Sequence, residues 1–218
     1  MRAILSISGS AALAAALAFS PSHIAAQANP VHTHIGHVRT AFAQTPGEEG
    51  LLPTALAEAQ VAIQHAGLAA SSPSNLDAMK LHTTHVVNAV DPSRVAQGPG
   101  RGFGVKRAAE GIVQHIGFAA GAEGASQNVA THSAHITAAA QTVVGRADEI
   151  LALADRIAAA GTAAEAAALV QELQTAAGQL VAGEDANGDG RITWEAGEGG
   201  LQHVEQHVGL LATGEGLD

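Results

Sequence analysis

The chain has 218 residues, of which 47% are hydrophobic but only 2% aromatic; it carries a formal charge of -10, 12 histidines and no cysteine. The acidic balance argues against a nucleic-acid partner, which needs a concentrated basic face, and makes cations the natural small partners. The absence of cysteine excludes disulfides, thiolate metal sites and covalent c-type haem, so any metal must be held by nitrogen and oxygen.

The N-terminus has the form of an export signal: Arg2, an apolar run from Ala11 to Phe19, then the small-x-small sequence Ala26-Gln27-Ala28. Cleavage after Ala28 is expected, placing a mature chain that starts at Asn29 in the periplasm or outside the cell. No later stretch reaches the roughly 18 uninterrupted apolar residues of a membrane span, so no integral membrane segment is expected after cleavage. Most of the apolar content is alanine, the best helix former and a poor strand former, which predicts an all-α helical bundle.

Start and stop signals place the helices. The first is expected between Pro30 and Gln44, the second from Pro53 to about Ala70, and the third from Asn75 to Val90, closed by Asp91-Pro92. A glycine-rich linker, Gln97 to Gly104, separates these from a fourth helix over Val105 to Ala119 and a fifth from Gln127 to Ala159, with a possible kink at Gly145. Thr162 and Glu165 form a capping box that opens a sixth helix to Ala182, and a last short helix covers Leu201 to Leu211. Three segments follow: the signal over 1–28, a histidine-rich bundle over 29–183, and an acidic loop with a terminal helix over 184–218.

The sequence repeats itself. Gln64-His65-Ala66-Gly67-Leu68 matches Gln114-His115-Ile116-Gly117-Phe118 at an offset of 50, and at the same offset His82-x-x-His85-Val86 matches His132-x-x-His135-Ile136. This reads as a duplicated helical hairpin. Fragments recur outside it: His34-x-x-His37-Val38 is like the second element, and Gln206-His207-Val208-Gly209-Leu210 is like the first.

Residues three or four apart share a helical face, so each His-x-x-His pair, and His203 with His207, directs two imidazoles to one side. In an antiparallel hairpin turning at Ser71 to Ser74, His65 should stand level with His82 and His85. The same reasoning, with a turn at Gly121 to Ser126, places His115 level with His132 and His135. Three imidazoles are the number that zinc or copper commonly takes before an exogenous fourth ligand. The alternatives are histidines that merely pack between helices, or bis-imidazole ligation of a non-covalent haem, for which the chain has few large residues to line a slot.

The segment Asp185-Ala186-Asn187-Gly188-Asp189-Gly190-Arg191-Ile192-Thr193 resembles the EF-hand calcium loop. It has oxygen ligands at positions one, three and five, glycine at six, a backbone carbonyl from Arg191 at seven and an apolar residue at eight. The resemblance covers about 12 residues and implies calcium binding by Asp185, Asn187, Asp189 and Arg191. It departs at position twelve, where Ala196 replaces the bidentate glutamate; Glu195 and Glu198 are the residues placed to complete the shell.

Glu-x-x-His, His-Glu-x-x-His and Gly-x-Ser-x-Gly motifs are absent, and no residue pattern calls for catalysis. The segment Gly98 to Arg107 lacks the Gly-Lys-Ser/Thr ending of a phosphate loop and the dinucleotide glycine spacing, and so reads as a flexible connection between helices. The expectation is a non-enzymatic, exported protein that binds metal ions: zinc or copper through helix histidines, and calcium through the acidic loop. A calcium-stabilised structural protein with packing histidines and a haem-binding protein are the alternatives.

Overall fold

The computed structural model describes residues 29–217. The expected signal lies outside them. Among the described residues the chain forms seven α-helices and no named strand: α1 Pro30–Arg39, α2 Leu51–Ala70, α3 Leu76–Val90, α4 Val105–Gly121, α5 Gln127–Ala159, α6 Ala163–Ala182 and α7 Leu201–Gly214. No helix among them is long and apolar enough to cross a membrane.

Side chains just outside the helices set where they start. Asn29 Oδ1 accepts from the Val31 N–H, Asn75 Oδ1 from the Ala78 N–H, and Ser126 Oγ from the Val129 N–H, each at 3.0–3.1 Å. Thr162 and Glu165 complete the expected capping box. Each cap satisfies a helix N–H that has no partner inside the helix, a contribution of about 1 kcal/mol. α5 runs unbroken through Gly145 for 33 residues, about 50 Å, and packs on α3, α4, α6 and α7. Around it, α2 pairs with α3, α1 with α4, and α2 also meets α4 and α6.

One apolar cluster joins all seven helices. Buried alanines such as Ala55, Ala59, Ala62, Ala109, Ala139 and Ala140 let the helices approach closely, while Ile35, Met79, Ile112, Ile136, Ile150, Leu173 and Leu201 fill the wider gaps. α7 contributes Leu201, Val204, Val208 and Leu211 to this cluster. The boundary expected at 183/184 therefore does not divide two cores.

Two sequence expectations need correction. α1 stops at Arg39 rather than Gln44, because the Phe42 N–H turns to the carbonyls of Glu48 and Glu49 (both 3.1 Å), folding residues 40–49 into a loop. The glycine-rich linker is pinned rather than flexible. Glu58, fully buried on α2, accepts the backbone N–H groups of Arg101, Phe103 and Gly104 at 2.9, 2.9 and 3.0 Å. Asn88 adds bonds to the Val95 carbonyl and the Gly100 N–H, both 2.8 Å. A Cβ at Gly98 or Gly100 would come within 2.5–2.8 Å of the Asn88 side chain, so glycine is required there for the close approach. The donors that such a loop could offer a phosphate are thus taken by an internal carboxylate.

Candidate metal centres

The described residues contain three groups of histidines whose ligating nitrogens lie within 4.8 Å of one another: His34, His37 and His115; His65, His82 and His85; His132, His135 and His207. Each combines one His-x-x-His pair with one histidine from a Gln-His-x-Gly element.

The α2–α3 triad is the one the hairpin geometry predicts. His65 Nδ1 lies 3.1 Å from His82 Nδ1 and 3.2 Å from His85 Nδ1. The α4–α5 expectation is overturned: His115 does not meet His132 and His135. It lies instead against α1, with Nδ1 3.0 Å from His34 Nδ1 and 3.2 Å from His37 Nδ1. His132 and His135 face α7, where His132 Nδ1 is 3.0 Å from His207 Nδ1 and the His135 and His207 rings are 4.6 Å apart. Turn length fixes how far along the axis two residues meet but not the rotation of each helix. α4 and α5 do pack together, yet their histidine faces turn outward, one to α1 and the other to α7.

Hydrogen bonding alone does not account for these clusters. An imidazole nitrogen has one lone pair or one proton, yet His65 and His115 each bring Nδ1 within 3.2 Å of two other Nδ1 atoms. His135 Nδ1 is buried with no hydrogen-bond partner. A single cation satisfies three lone pairs at once. With metal–nitrogen bonds of about 2.0–2.1 Å, two ligands of a tetrahedral ion are ~3.3 Å apart, close to the 3.0–3.2 Å seen here. Axial haem ligation would hold two imidazole nitrogens about 4 Å apart, on opposite sides of the iron, which these contacts are too short to provide.

The electrostatics keep the imidazoles in the form that binds metal. Burial first, and neighbouring imidazoles second, hold His34, His65, His85, His115 and His135 below the usual histidine value. The same causes push His207 down to about 4. A neutral ring offers a lone pair, so these shifts favour ligation over protonation at neutral pH.

The walls of the triads differ. Phe42 sits 5.0 Å from the His115 ring and 5.4 Å from His37, and Phe118 sits 5.1 Å from His34. Trp194 stacks on His135, with ring centroids 3.7 Å apart and 15° between planes. The α2–α3 triad has no aromatic ring other than its own imidazoles among the ring contacts of the described residues. His203, though one turn from His207, is not in the triad. Its Nδ1 accepts from the Gly200 N–H and its Nε2 meets the Ile192 carbonyl, both at 3.2 Å. It fastens the segment before α7.

In the acidic loop, Asp185 organises the turn: Oδ1 accepts from the N–H groups of Gly188 (2.8 Å) and Asp189 (3.1 Å), and Oδ2 from that of Gly190 (2.9 Å). Asn187 accepts from Asp189 N–H and Asp189 from Arg191 N–H, both at 2.9 Å. Arg191 and Glu195 are exposed. Glu198, 2% exposed, is engaged by the N–H and hydroxyl of Thr193 at 3.0 and 2.9 Å. The carboxylates of Asp185, Asp189, Glu195 and Glu198 do not gather three ligand atoms as the histidines do. The helix after the loop begins only at Leu201.

His34, His37 and His207 are the members of the triads that hairpin reasoning left out. Their signal was present in the sequence as the outlying His-x-x-His and Gln-His-x-Gly fragments: three elements of each kind, hence three complete triads. No family model, curated protein or solved structure matches the chain.

Proposed function

We propose that this is an exported, non-enzymatic transition-metal-binding protein that holds three zinc or copper ions per chain for storage, buffering or delivery. The convergence of three histidine triads, each with its ligating nitrogens within 4.8 Å of one another and with at least one Nδ1 pair at 3.0–3.2 Å, carries the reading. Three nitrogen ligands without a carboxylate or sulfur suit zinc and copper better than calcium or magnesium, which take oxygen. Retention of ions at three like sites, all built from histidine alone, fits a buffer or store.

Native mass spectrometry of the protein purified without chelator or affinity metal tests this. The expected result is a chain starting at Asn29 that carries up to three zinc or copper ions; failure to take up either ion from a micromolar solution refutes it. Calcium at the acidic loop is a second, structural site, favoured by the turn that Asp185 closes through three backbone N–H groups. Trp194 is the only tryptophan and lies inside that loop, so millimolar calcium should change its emission or raise the melting temperature. No change in either would remove calcium from the proposal.

A further inference from the structure

Only five large apolar side chains among the described residues are exposed: Leu68 (39%), Leu81 (54%), Phe118 (49%), Ile192 (40%) and Leu210 (47%). On a monomer such side chains are normally scattered singly over the surface. Here four of the five stand at helical spacing from a triad histidine. Leu68, Phe118 and Leu210 each stand three residues after the single histidine of their triad, and Leu81 stands four before His85; residues three or four apart share a helical face. Phe118 demonstrates the contact, with its ring 5.1 Å from His34 and 5.9 Å from His115. Ile192 is the exception: its carbonyl meets His203, which is outside the triads.

The triads themselves contain only histidine. Three neutral imidazoles leave a divalent ion with its full charge and an incomplete shell, so a fourth ligand comes from outside, and an anion there is favoured. A partner protein is a poor fit for that ligand. A stable protein interface buries about 800 Å² on each side, whereas each triad is bordered by only one or two exposed large apolar side chains, and the arrangement recurs three times in one chain. Three small ligands match three small collars.

Resting on the metal-binding reading above, we propose that each loaded triad takes up a small amphipathic carboxylate, its oxygen on the metal's open position and its alkyl part over Leu68, Phe118 or Leu210. The protein would then carry metal together with an organic anion. The His34–His37–His115 triad should bind the anion most tightly. His115 borders a cavity of about 470 Å³ that also contains Phe42, Phe103, Gln44 and the cationic Arg107, with Glu110 as the one acidic group on its wall.

The test uses the full mature chain loaded with cobalt(II), whose visible bands report its coordination. Three equivalents of cobalt should give tetrahedral-type bands. Acetate, butyrate, hexanoate and octanoate should then shift those bands, with the dissociation constant falling roughly twofold per added CH₂, half the free-energy gain of complete burial. The variant L68A/F118A/L210A should still bind three cobalt ions and respond to acetate, but keep a chain-length dependence only at the first triad, where Phe42 and Phe103 remain. Absence of cobalt bands overturns the metal-binding reading and this inference together. Normal bands that ignore every carboxylate, or that respond equally to acetate and octanoate, overturn this inference alone.

Discussion

Replacing His115 with alanine discriminates most sharply between the triads seen here and those the hairpins alone suggest. His115 Nδ1 is 3.0 and 3.2 Å from His34 and His37, so His115→Ala should abolish the same ion as the double change His34→Ala/His37→Ala. At free metal a hundredfold above the dissociation constant, one site contributes about 2.7 kcal/mol of stability. Unfolding entropy of about 2.1 cal/mol/K per residue makes that loss ~6–7 °C in melting temperature for a chain of this size. Once His34 and His37 are gone, adding His115→Ala should remove almost no further metal-dependent stability, because the three residues serve one ion. Added to His132→Ala/His135→Ala, by contrast, it should subtract a second full increment and leave one ion. The assay is thermal unfolding with and without excess zinc, with stoichiometry from native mass spectrometry; the metal-free melts remove the cost of the lost side chain itself. If His115→Ala is additive with the α1 pair and not with the α5 pair, the assignment of triads is wrong.

Three further outcomes follow. Glu58→Gln replaces a buried acceptor of three backbone N–H groups with an amide whose NH₂ opposes one or more of them; urea unfolding should show a loss of about 2–4 kcal/mol with metal stoichiometry unchanged, and a loss below 0.5 kcal/mol would show the linker is not held this way. The histidines held below their usual value bind fewer protons folded than unfolded, so metal-free stability should be flat above about pH 7 and fall as pH drops through 6.5 toward the His207 value of about 4; stability that rises on acidification across that window contradicts the burial of neutral rings. Trp194 stacks on His135, so copper(II) should quench its emission through the third triad. His207→Ala should abolish the tightest quenching phase while His82→Ala/His85→Ala leaves it intact, and the reverse pattern would refute the placement of Trp194.

Much of the fold was legible because local signals decided it. Alanine content, the Asn75 and Ser126 caps and the Thr162–Glu165 box locate the helices to within a few residues, since those effects act within one turn. The α2–α3 triad was legible for the same reason, as His65 and His82 are separated by one tight turn. What the sequence hid was rotational. Whether His115 faces α5 or α1 depends on the rotation of α4 about its axis, which no local rule sets. The linker was misread because its partner, Glu58, lies more than 40 residues away, out of reach of any local rule, and a carboxylate amid alanines looks like a surface residue in sequence.

With metal bound, the pairing would give the three triads different roles in holding the molecule together. The second closes a short loop, from His65 to His82 across one turn, whereas the first joins positions 34 and 115 and the third positions 132 and 207. Closing about 80 residues rather than about 17 costs an unfolded chain roughly 1.4 kcal/mol more, on the logarithmic dependence of closure entropy. An unfolded chain can therefore gather the second triad around an ion about tenfold more readily than the first or third, which need the assembled bundle. Metal at those two sites would bind the unfolded chain about tenfold less readily than at the second, so more of its binding would convert into stability. It would also tie α1 and α7, the first and last of the described helices, to α4 and α5. The duplicated hairpins would thereby be completed by α1 and α7, and loss of metal should loosen those two helices before the α2–α3 hairpin.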